Sequence, residues 1–217
     1  MRLVCGGDVM LSRHVGRVAR RMNDPAFPFR RIAPFFSAAD IAFVNLESPF
    51  SDRGGRVEQG MVFKAEPEMI EGLKLAGIDI VSTANNHARD RLGHGLEFTL
   101  RWLARHQIAA AGTGAGREAA GSGAVVERKG VRFGFLAYTY DQANGNHADQ
   151  DERVMTMDVP AMQAAVARLR TRCDAVVVSM HAGAEYSTRA NRQQVEFARA
   201  AVDSGASVVV GHHPHVV

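Results

Sequence analysis

Residues 77–87 read Gly-Ile-Asp-Ile-Val-Ser-Thr-Ala-Asn-Asn-His, an apolar run that leads into two amides and an imidazole. The apolar and β-branched residues at 78–82 predict a buried strand. A turn after such a strand needs at most one Asn. Asn85, Asn86 and His87 therefore raise the question whether this polar group only ends the strand or also performs chemistry.

Segments with strand character alternate with segments of helical periodicity along the chain. Apolar residues at 69, 70, 73 and 76 have helical spacing, for example, and Gly77 follows them as a helix stop. The pattern predicts strands at 3–6, 40–44, 78–82, 108–111, 124–126, 131–138, 175–180 and 207–210, and helices at 67–76, 92–106, 157–172 and 191–204. The basic run at 13–21 predicts a surface helix, and the polar segment 141–153 predicts an exposed loop. The alternation predicts an α/β fold.

Five predicted strands end in side chains that bind metals or transfer protons. These are Asp8, Glu47, Asn86 with His87, His181, and His213 with His215. Taken singly, each fits a turn, a helix cap or a core histidine. Ligands of open α/β sheets bind at the carboxyl ends of the strands, however, so the joint placement predicts one metal-binding site.

The ligand types indicate which metals fit this site. Asp, Glu, Asn and His without Cys suit Mn²⁺, Fe or Zn²⁺. The candidates are too many for one tetrahedral zinc and suit two divalent metal ions that share a carboxylate. His87 adjoins a predicted ligand, and histidine is the residue type most often used for proton transfer in catalysis, so we expect it to be the general acid.

Composition limits the remaining possibilities. The chain has 217 residues, 46% of them hydrophobic and 23% charged, with a formal net charge of +3, which suits one globular domain. The basic residues do not cluster with aromatic side chains, so nucleic acid is not an expected partner. The two cysteines, Cys5 and Cys173, lie in apolar contexts and predict buried free thiols. No signal peptide or membrane span is evident, which predicts a cytoplasmic protein.

Several motifs together resemble a known family. GGDVM, FVNLESP, FKAEPEMIEGLKLAGIDIVSTANNHARD, LAYTY, HAGAEY and GHHPHV occur in this order from Gly6 to the last residues. They resemble the motif series of the bacterial capsule synthesis proteins of the CapA/PgsA type. That family serves poly-γ-glutamate synthesis and is similar to calcineurin-like metallophosphoesterases.

The resemblance implies a fold and a set of roles. The fold would be a metallophosphoesterase-like four-layer α/β/β/α sandwich with mixed sheets, a single domain over 1–217 that is C-terminally truncated. Asp8 and His215 would hold the first metal. Glu47 would bridge, with Asn45 as an extra ligand. Asn86, His181 and His213 would hold the second metal, and His87 would be the catalytic acid.

Four further residues are candidates for substrate binding. Arg89 and Lys64 can contact an anionic group, with Arg89 preferred because a guanidinium grips such groups bidentately; solvated surface charge is the alternative. Glu185 follows His181 in HAGAEY and can support a ligand. Tyr138 lies at a strand end and can line the pocket, with core packing as the alternative.

The chain also departs from the phosphoesterase pattern. Phosphoesterases commonly read Asp-x-His at the first motif, whereas this chain has Met10, so the first metal loses the imidazole that this motif supplies. His14 is a candidate replacement, with a surface position as the alternative. Ala182 stands where relatives often carry Trp.

These observations predict a dinuclear metal-dependent hydrolase, most plausibly a phosphoesterase, linked to capsule or poly-γ-glutamate biosynthesis. The alternatives are a non-catalytic, metal-containing accessory subunit of a polymer synthesis or export complex, and a metal-dependent amide hydrolase. The resemblance implies an anionic small-molecule or polymer substrate and a membrane complex as partner. It also leaves open an extracytoplasmic, membrane-associated location.

Overall fold

The computed structural model describes residues 1–142, 144 and 150–216. The strands are β1 (Leu3–Val9), β2 (Ile41–Leu46), β3 (Ile80–Ser82), β4 (Ala109–Ala111), β5 (Ala124–Arg128), β6 (Val131–Thr139), β7 (Ala175–His181) and β8 (Val208–His212). The helices are α1 (Arg13–Arg21), α2 (Ala33–Ser37), α3 (Ile70–Leu75), α4 (Leu92–Arg105), α5 (Arg117–Gly121), α6 (Val159–Arg170) and α7 (Arg192–Asp203).

The strands form two four-stranded sheets. The first has the order β1-β2-β3-β4 and is parallel throughout, while the second has the order β5-β6-β7-β8. In the second sheet β5 and β6 form an antiparallel hairpin, and β6, β7 and β8 run parallel. The prediction of mixed sheets therefore describes the second sheet, whereas helical crossovers keep the first sheet parallel.

Alternation along the strands divides the interior into three apolar cores. Ile41 and Phe43 of β2 and Phe135 of β6 face a core between the two sheets. Ala42 and Val44 face outward, against a core that includes side chains of α1–α4. Leu136 of β6 and Val178 of β7 face a third core with side chains of α6 and α7. The layers are thus helix, sheet, sheet and helix, as predicted.

The same alternation predicts which side chains enter the inter-sheet space at the carboxyl ends of the strands. Asn45 and Glu47 continue the face of Phe43. His181 continues the face of Val177, and His212 that of Val210. Polar side chains from both sheets therefore reach the same end of the inter-sheet core.

A β-bulge brings Asp8 to this face as well. Cys5 pairs with Phe43, but the next partner of β2, Asn45, pairs with Asp8, so β1 holds one extra residue. An extra residue reverses which face the following side chains occupy. Asp8 therefore shares the face of Asn45. Gly6 lies in the bulge, and a Cβ there would come within 2.7 Å of the Phe36 ring.

The predicted strands and long helices are confirmed, with ends shifted by a few residues. The predicted helix at 67–76 begins as a 3₁₀ turn, Pro67–Met69, and continues as α3. Asp158 caps α6 as its carboxylate accepts from Ala161 N at 2.8 Å. The helices α2 and α5 and the 3₁₀ turn Phe27–Phe29 were not predicted, because they are too short to show periodicity.

Two predictions need correction. Cys173 is buried, but Cys5 is exposed, because β1 is the edge strand of its sheet. Within the predicted exposed loop, Gln142 is buried, since its side chain contacts Arg89 and Asp151 N. Residues 143 and 145–149 of that loop lie outside the described residues.

Candidate metal centre

The carboxylate of Asp8 lies at the centre of the polar cluster. Its Oδ1 accepts from Asn45 Nδ2 at 2.8 Å, and its Oδ2 accepts from the backbone N–H of His213 at 3.0 Å. His215 Nδ1 lies 3.0 Å from Oδ2. Residues from β1, β2 and the segment after β8 thus meet at one acid, although they are far apart in sequence.

His181 is fully buried at the end of β7 and joins this cluster to Asn86. Its Nε2 lies 2.9 Å from Asn86 Oδ1, and its Nδ1 lies 3.2 Å from Asn45 Nδ2. Burial is the main reason that the pKa of His181 falls well below its ordinary value, and the neighbouring histidines add to the effect. The ring is therefore neutral near pH 7, which is the form that binds a metal.

Glu47 is buried and faces two imidazoles. Its Oε1 lies 3.8 Å from His215 Nε2 and 3.9 Å from His181 Nε2. One ligand atom each of Glu47, His213 and His215 lies within 4.8 Å of the other two. Burial, first, and the charges of Asp8, Glu185 and Asp90 together raise the pKa of Glu47 to about 8. Such a carboxylate favours a nearby cation.

Asn45 enters the cluster with its amide nitrogen toward Asp8 and His181. Its Oδ1 accepts from Asn85 Nδ2 at 3.3 Å, and the same Nδ2 donates to Leu46 O at 2.9 Å. In this arrangement the amide nitrogen of Asn45 orients the predicted ligands Asp8 and His181, while its oxygen accepts a hydrogen bond from Asn85.

His87 lies beside the cluster and has a partner that the sequence analysis did not identify. Its Nδ1 lies 2.7 Å from Oδ2 of Asp90, which is fully buried and also accepts from Phe63 N at 2.6 Å. The ring stacks on Phe63 with centroids 3.9 Å apart. Because Asp90 engages Nδ1, Nε2 is the nitrogen that can meet a substrate.

Comparison with known proteins identifies the family of this chain. The profile of the family described as bacterial capsule synthesis protein PGA_cap matches residues 2–217. The chain belongs to this family. The motif resemblance is therefore confirmed.

Relatives of this PGA_cap chain have names that concern capsule and polymer synthesis. The capsule biosynthesis protein CapA of Bacillus anthracis is 29% identical, over 97% of this chain and 53% of that protein. The PGA biosynthesis protein CapA of Bacillus subtilis is 28% identical, over 97% of this chain and 56% of that protein. A Mycobacterium tuberculosis protein named "Probable polyglutamine synthesis accessory protein" is 27% identical, over 82% of this chain and 50% of that protein.

The chain spans about half the length of the curated relatives it matches. Among the described residues, no helix combines the length and the apolar character needed to cross a bilayer.

The candidate substrate-binding residues of this PGA_cap domain differ in their placement. Glu185 is exposed, but its charge acts on both Glu47 and His213, which places it beside the cluster. Arg89 is buried, with Nη1 3.3 Å from Gln142 Oε1 and Nε 3.7 Å from Asp151 Oδ2. Lys64 Nζ pairs with Glu66 Oε2 at 3.0 Å.

The structure does not bring Tyr138 to the cluster. Tyr138 packs edge-to-face on Phe197 of α7, with centroids 5.3 Å apart, in the core between the second sheet and its helices. Its side chain lies on the same face of the sheet as that of Met180, its partner in β7, and therefore faces away from His181. The core-packing alternative describes its position.

His212 is a residue of the cluster that the sequence analysis missed. It is 3% exposed, and its Nδ1 lies 3.7 Å from Asp8 Oδ1. The last strand was predicted to end at residue 210, and only His213 and His215 of GHHPHV were predicted as ligands. The alternation of β8 was the available signal, because Val210 and His212 must share a face.

An open cavity of about 690 Å³ borders the cluster and is lined by residues that include Asp8, His212, His213 and His215. A cavity of similar volume, about 710 Å³, lies between α5 and α6 and is lined by residues such as Arg117, Met155 and Arg168. The second cavity contains none of the predicted ligands, so the first is the relevant one for function.

Proposed function

We propose that this PGA_cap chain is a hydrolase that uses two divalent cations, Mn, Fe or Zn, and cleaves a phosphoester. The observation that carries the proposal is the buried contact between His87 and Asp90 beside a set of convergent ligands. A structural metal site has no need of an oriented imidazole next to it, whereas a hydrolase needs a proton donor for its leaving group.

The residues present fit the metal ions. Both ring nitrogens of His212 and Nδ1 of His213 are buried and have no hydrogen-bond partner among the described residues. Buried polar atoms normally have a partner, so the unprotonated nitrogen of each ring suits a cation. In the proposed scheme Asp8 and His215 would hold the first ion, Asn86, His181 and His213 would hold the second, and Glu47 would be shared by the two. When bound, the cations supply Lewis-acid stabilisation of charge on the phosphoryl oxygens.

The protein's own groups perform the remaining tasks. Asp90 fixes the His87 ring so that a protonated Nε2 can donate to the departing oxygen. Phe63 packs on the ring and limits its rotation. Arg89 and Lys64 are the proposed contacts for anionic groups of the substrate, and Glu185 orients groups at the open side of the cluster.

Two other functions use the same cluster. The polymer-related names of the relatives support a role in capsule or polyglutamate synthesis, and the name of the mycobacterial relative supports a non-catalytic accessory role. In the accessory role the metal site would bind an anionic polymer within a membrane-associated complex. In the third function the metals would cleave an amide of that polymer.

The test compares two phosphate monoesters that differ in their leaving group, and it includes one diester. Protein loaded with Mn²⁺ is assayed on p-nitrophenyl phosphate, bis-p-nitrophenyl phosphate and phenyl phosphate, as wild type, His87→Ala and the matched surface control His94→Ala. Phenol is the poorer leaving group, so His87→Ala should lower kcat on phenyl phosphate by roughly 10²- to 10⁴-fold and affect p-nitrophenyl phosphate less. His94→Ala should match wild type.

Each alternative has its own outcome. If no metal supports hydrolysis of any of these esters, the phosphoesterase proposal fails. If His87→Ala lowers kcat on phenyl phosphate and on p-nitrophenyl phosphate by the same small factor, the general-acid role fails. Binding of poly-γ-glutamate without turnover would favour the accessory role, and release of new amino groups from it would favour the amide hydrolase.

A further inference from the structure

We propose that His212 is a ligand of the first cation and supplies the imidazole that Met10 cannot provide. The inference rests on the metal site of the proposed function, but not on any reaction there. It assigns a role to a buried side chain that the phosphoesterase pattern leaves without one.

The environment of His212 is unusual for a core histidine. The side chain is 3% exposed, and neither ring nitrogen has a hydrogen-bond partner among the described residues. His181, by comparison, is equally buried and has a partner for each nitrogen. Leaving both nitrogens of a buried imidazole unpaired is unfavourable, so His212 is suited to a partner that is not part of the chain.

The strand places the ring against the central carboxylate. His212 pairs with His181 in the parallel register of β7 and β8, so the two side chains lie on the same face. Asp8 Oδ1 is 3.7 Å from Nδ1 of each. Asp8 Oδ2 is 3.0 Å from His215 Nδ1. His212 and His215 thus each place a ring nitrogen beside the Asp8 carboxylate, one at each of its oxygens.

Neither other candidate can replace His212 in this arrangement. The Met10 sulfur accepts from Ser12 N at 3.2 Å, so it serves its own turn. His14 is exposed on the first turn of α1. His212 comes from β8 instead of the first motif, so a ligand missing from one strand is supplied by another.

The test counts metal ions and needs no substrate. Wild type, His212→Phe and the control His14→Ala are dialysed against Mn²⁺, and the bound metal is measured by elemental analysis and electron paramagnetic resonance. Phe keeps a ring against Phe43, whose centroid lies 5.9 Å from that of His212, but removes both nitrogens. Wild type and His14→Ala should bind two Mn²⁺ and show spin coupling. His212→Phe should bind one Mn²⁺ tightly and the other at least about tenfold more weakly, without coupling.

Further variants separate a ligand from a structural residue. In EDTA, His212→Phe should unfold at the same urea concentration as wild type or a higher one, because no hydrogen bond is lost. Adding Met10→His to His212→Phe should restore the second Mn²⁺. If His212→Phe does not fold, His212→Gln replaces it in both measurements.

The outcomes distinguish this inference from the proposed function. Two tightly bound, coupled Mn²⁺ in the variant would overturn the ligand role, even if the wild type hydrolyses phosphoesters. A large loss of stability in EDTA with metal binding intact would also overturn it, by showing a structural role. A wild type that binds two ions but hydrolyses nothing would overturn the hydrolase and leave the His212 result standing.

Discussion

The buried carboxylate of Glu47 should make the metal-free protein less stable as the pH rises. Its pKa is raised from an ordinary 4.5 to about 8, first by burial and then by the charges of Asp8, Glu185 and Asp90. A carboxyl group with a raised pKa in the folded state binds its proton more tightly there than in the unfolded chain. Its contribution to stability is therefore fully present below pH 4.5 and is lost as the pH rises through about 8.

The size of this effect follows from the two pKa values. The difference between 8 and 4.5 corresponds to about 5 kcal/mol when the carboxylate is fully charged. Between pH 5 and pH 8 the loss amounts to roughly 3–4 kcal/mol, spread over most of that range. Other groups titrate in this range too. Burial lowers the pKa values of His181 and His213, so below the ordinary histidine pKa these two residues make the protein more stable as the pH rises, which opposes the effect of Glu47.

A comparison with Glu47→Gln removes these other contributions. Gln keeps the size of the side chain and donates a hydrogen bond as the protonated acid does, but it carries no charge. We expect the variant to gain stability over wild type by roughly 3–4 kcal/mol between pH 5 and pH 8. The assay is urea unfolding in EDTA at four pH values across that range, with the exposed Glu58→Gln as a control that should show a constant difference.

Added Mn²⁺ should make wild type more stable than Glu47→Gln, the opposite of the order in EDTA, because a cation favours the carboxylate and Gln is a weaker ligand. A difference between wild type and Glu47→Gln that stays constant from pH 5 to pH 8 would refute the reasoning. It would mean that the Glu47 carboxylate is already solvated or neutralised, and that the cluster is not primed for a cation.

Three further changes test other parts of the molecule. Asp90→Asn should lower kcat on phenyl phosphate by roughly 10- to 100-fold with little change in KM, measured on Mn²⁺-loaded protein, because the Nδ1 to Oδ2 contact of 2.7 Å orients His87. An equal effect on p-nitrophenyl phosphate would contradict this. Gly6→Ala should destabilise the fold by about 1–3 kcal/mol in urea, since its Cβ would meet the Phe36 ring at 2.7 Å; Gly7→Ala, with open space around it, is the control. Asn191→Ala should destabilise by about 1 kcal/mol, because Asn191 forms a capping box with Gln194 at the start of α7; an unchanged unfolding midpoint would show that the cap contributes nothing.

Local patterns in the sequence predicted the α/β class and most of the cluster, whereas the four layers were implied by the family resemblance. Alternation along β2 and β6 gives the cores, and polar residues at strand ends give the candidate ligands. Tyr138 shows the limit of this reasoning. It lies near the end of a strand, as His181 does, but its position in the alternation places its side chain on the sheet face that packs against the helices.

Other features depend on contacts between distant segments. Asp90 is three residues from His87, but its role also depends on Phe63 N, which holds its carboxylate in place. The bulge at Gly6 that turns Asp8 inward appears only when β1 is paired with β2. Neither a hydrogen bond to a distant backbone nor a shift in register has a signature in the order of residues.

The histidines after β8 show how backbone conformation completes the site. An extended strand would send His213 to the opposite face from His212, away from Asp8. Instead the φ angle of His213 is 94° and that of His215 is 56°, so the chain turns through left-handed conformations on both sides of Pro214. Such conformations are unfavourable for residues other than glycine and persist where the surrounding structure imposes them, often at functional sites. Here they bring the His213 backbone N–H and the His215 ring to Asp8, and the His213 ring to Glu47. The strain is thus located where the residues of the cluster meet.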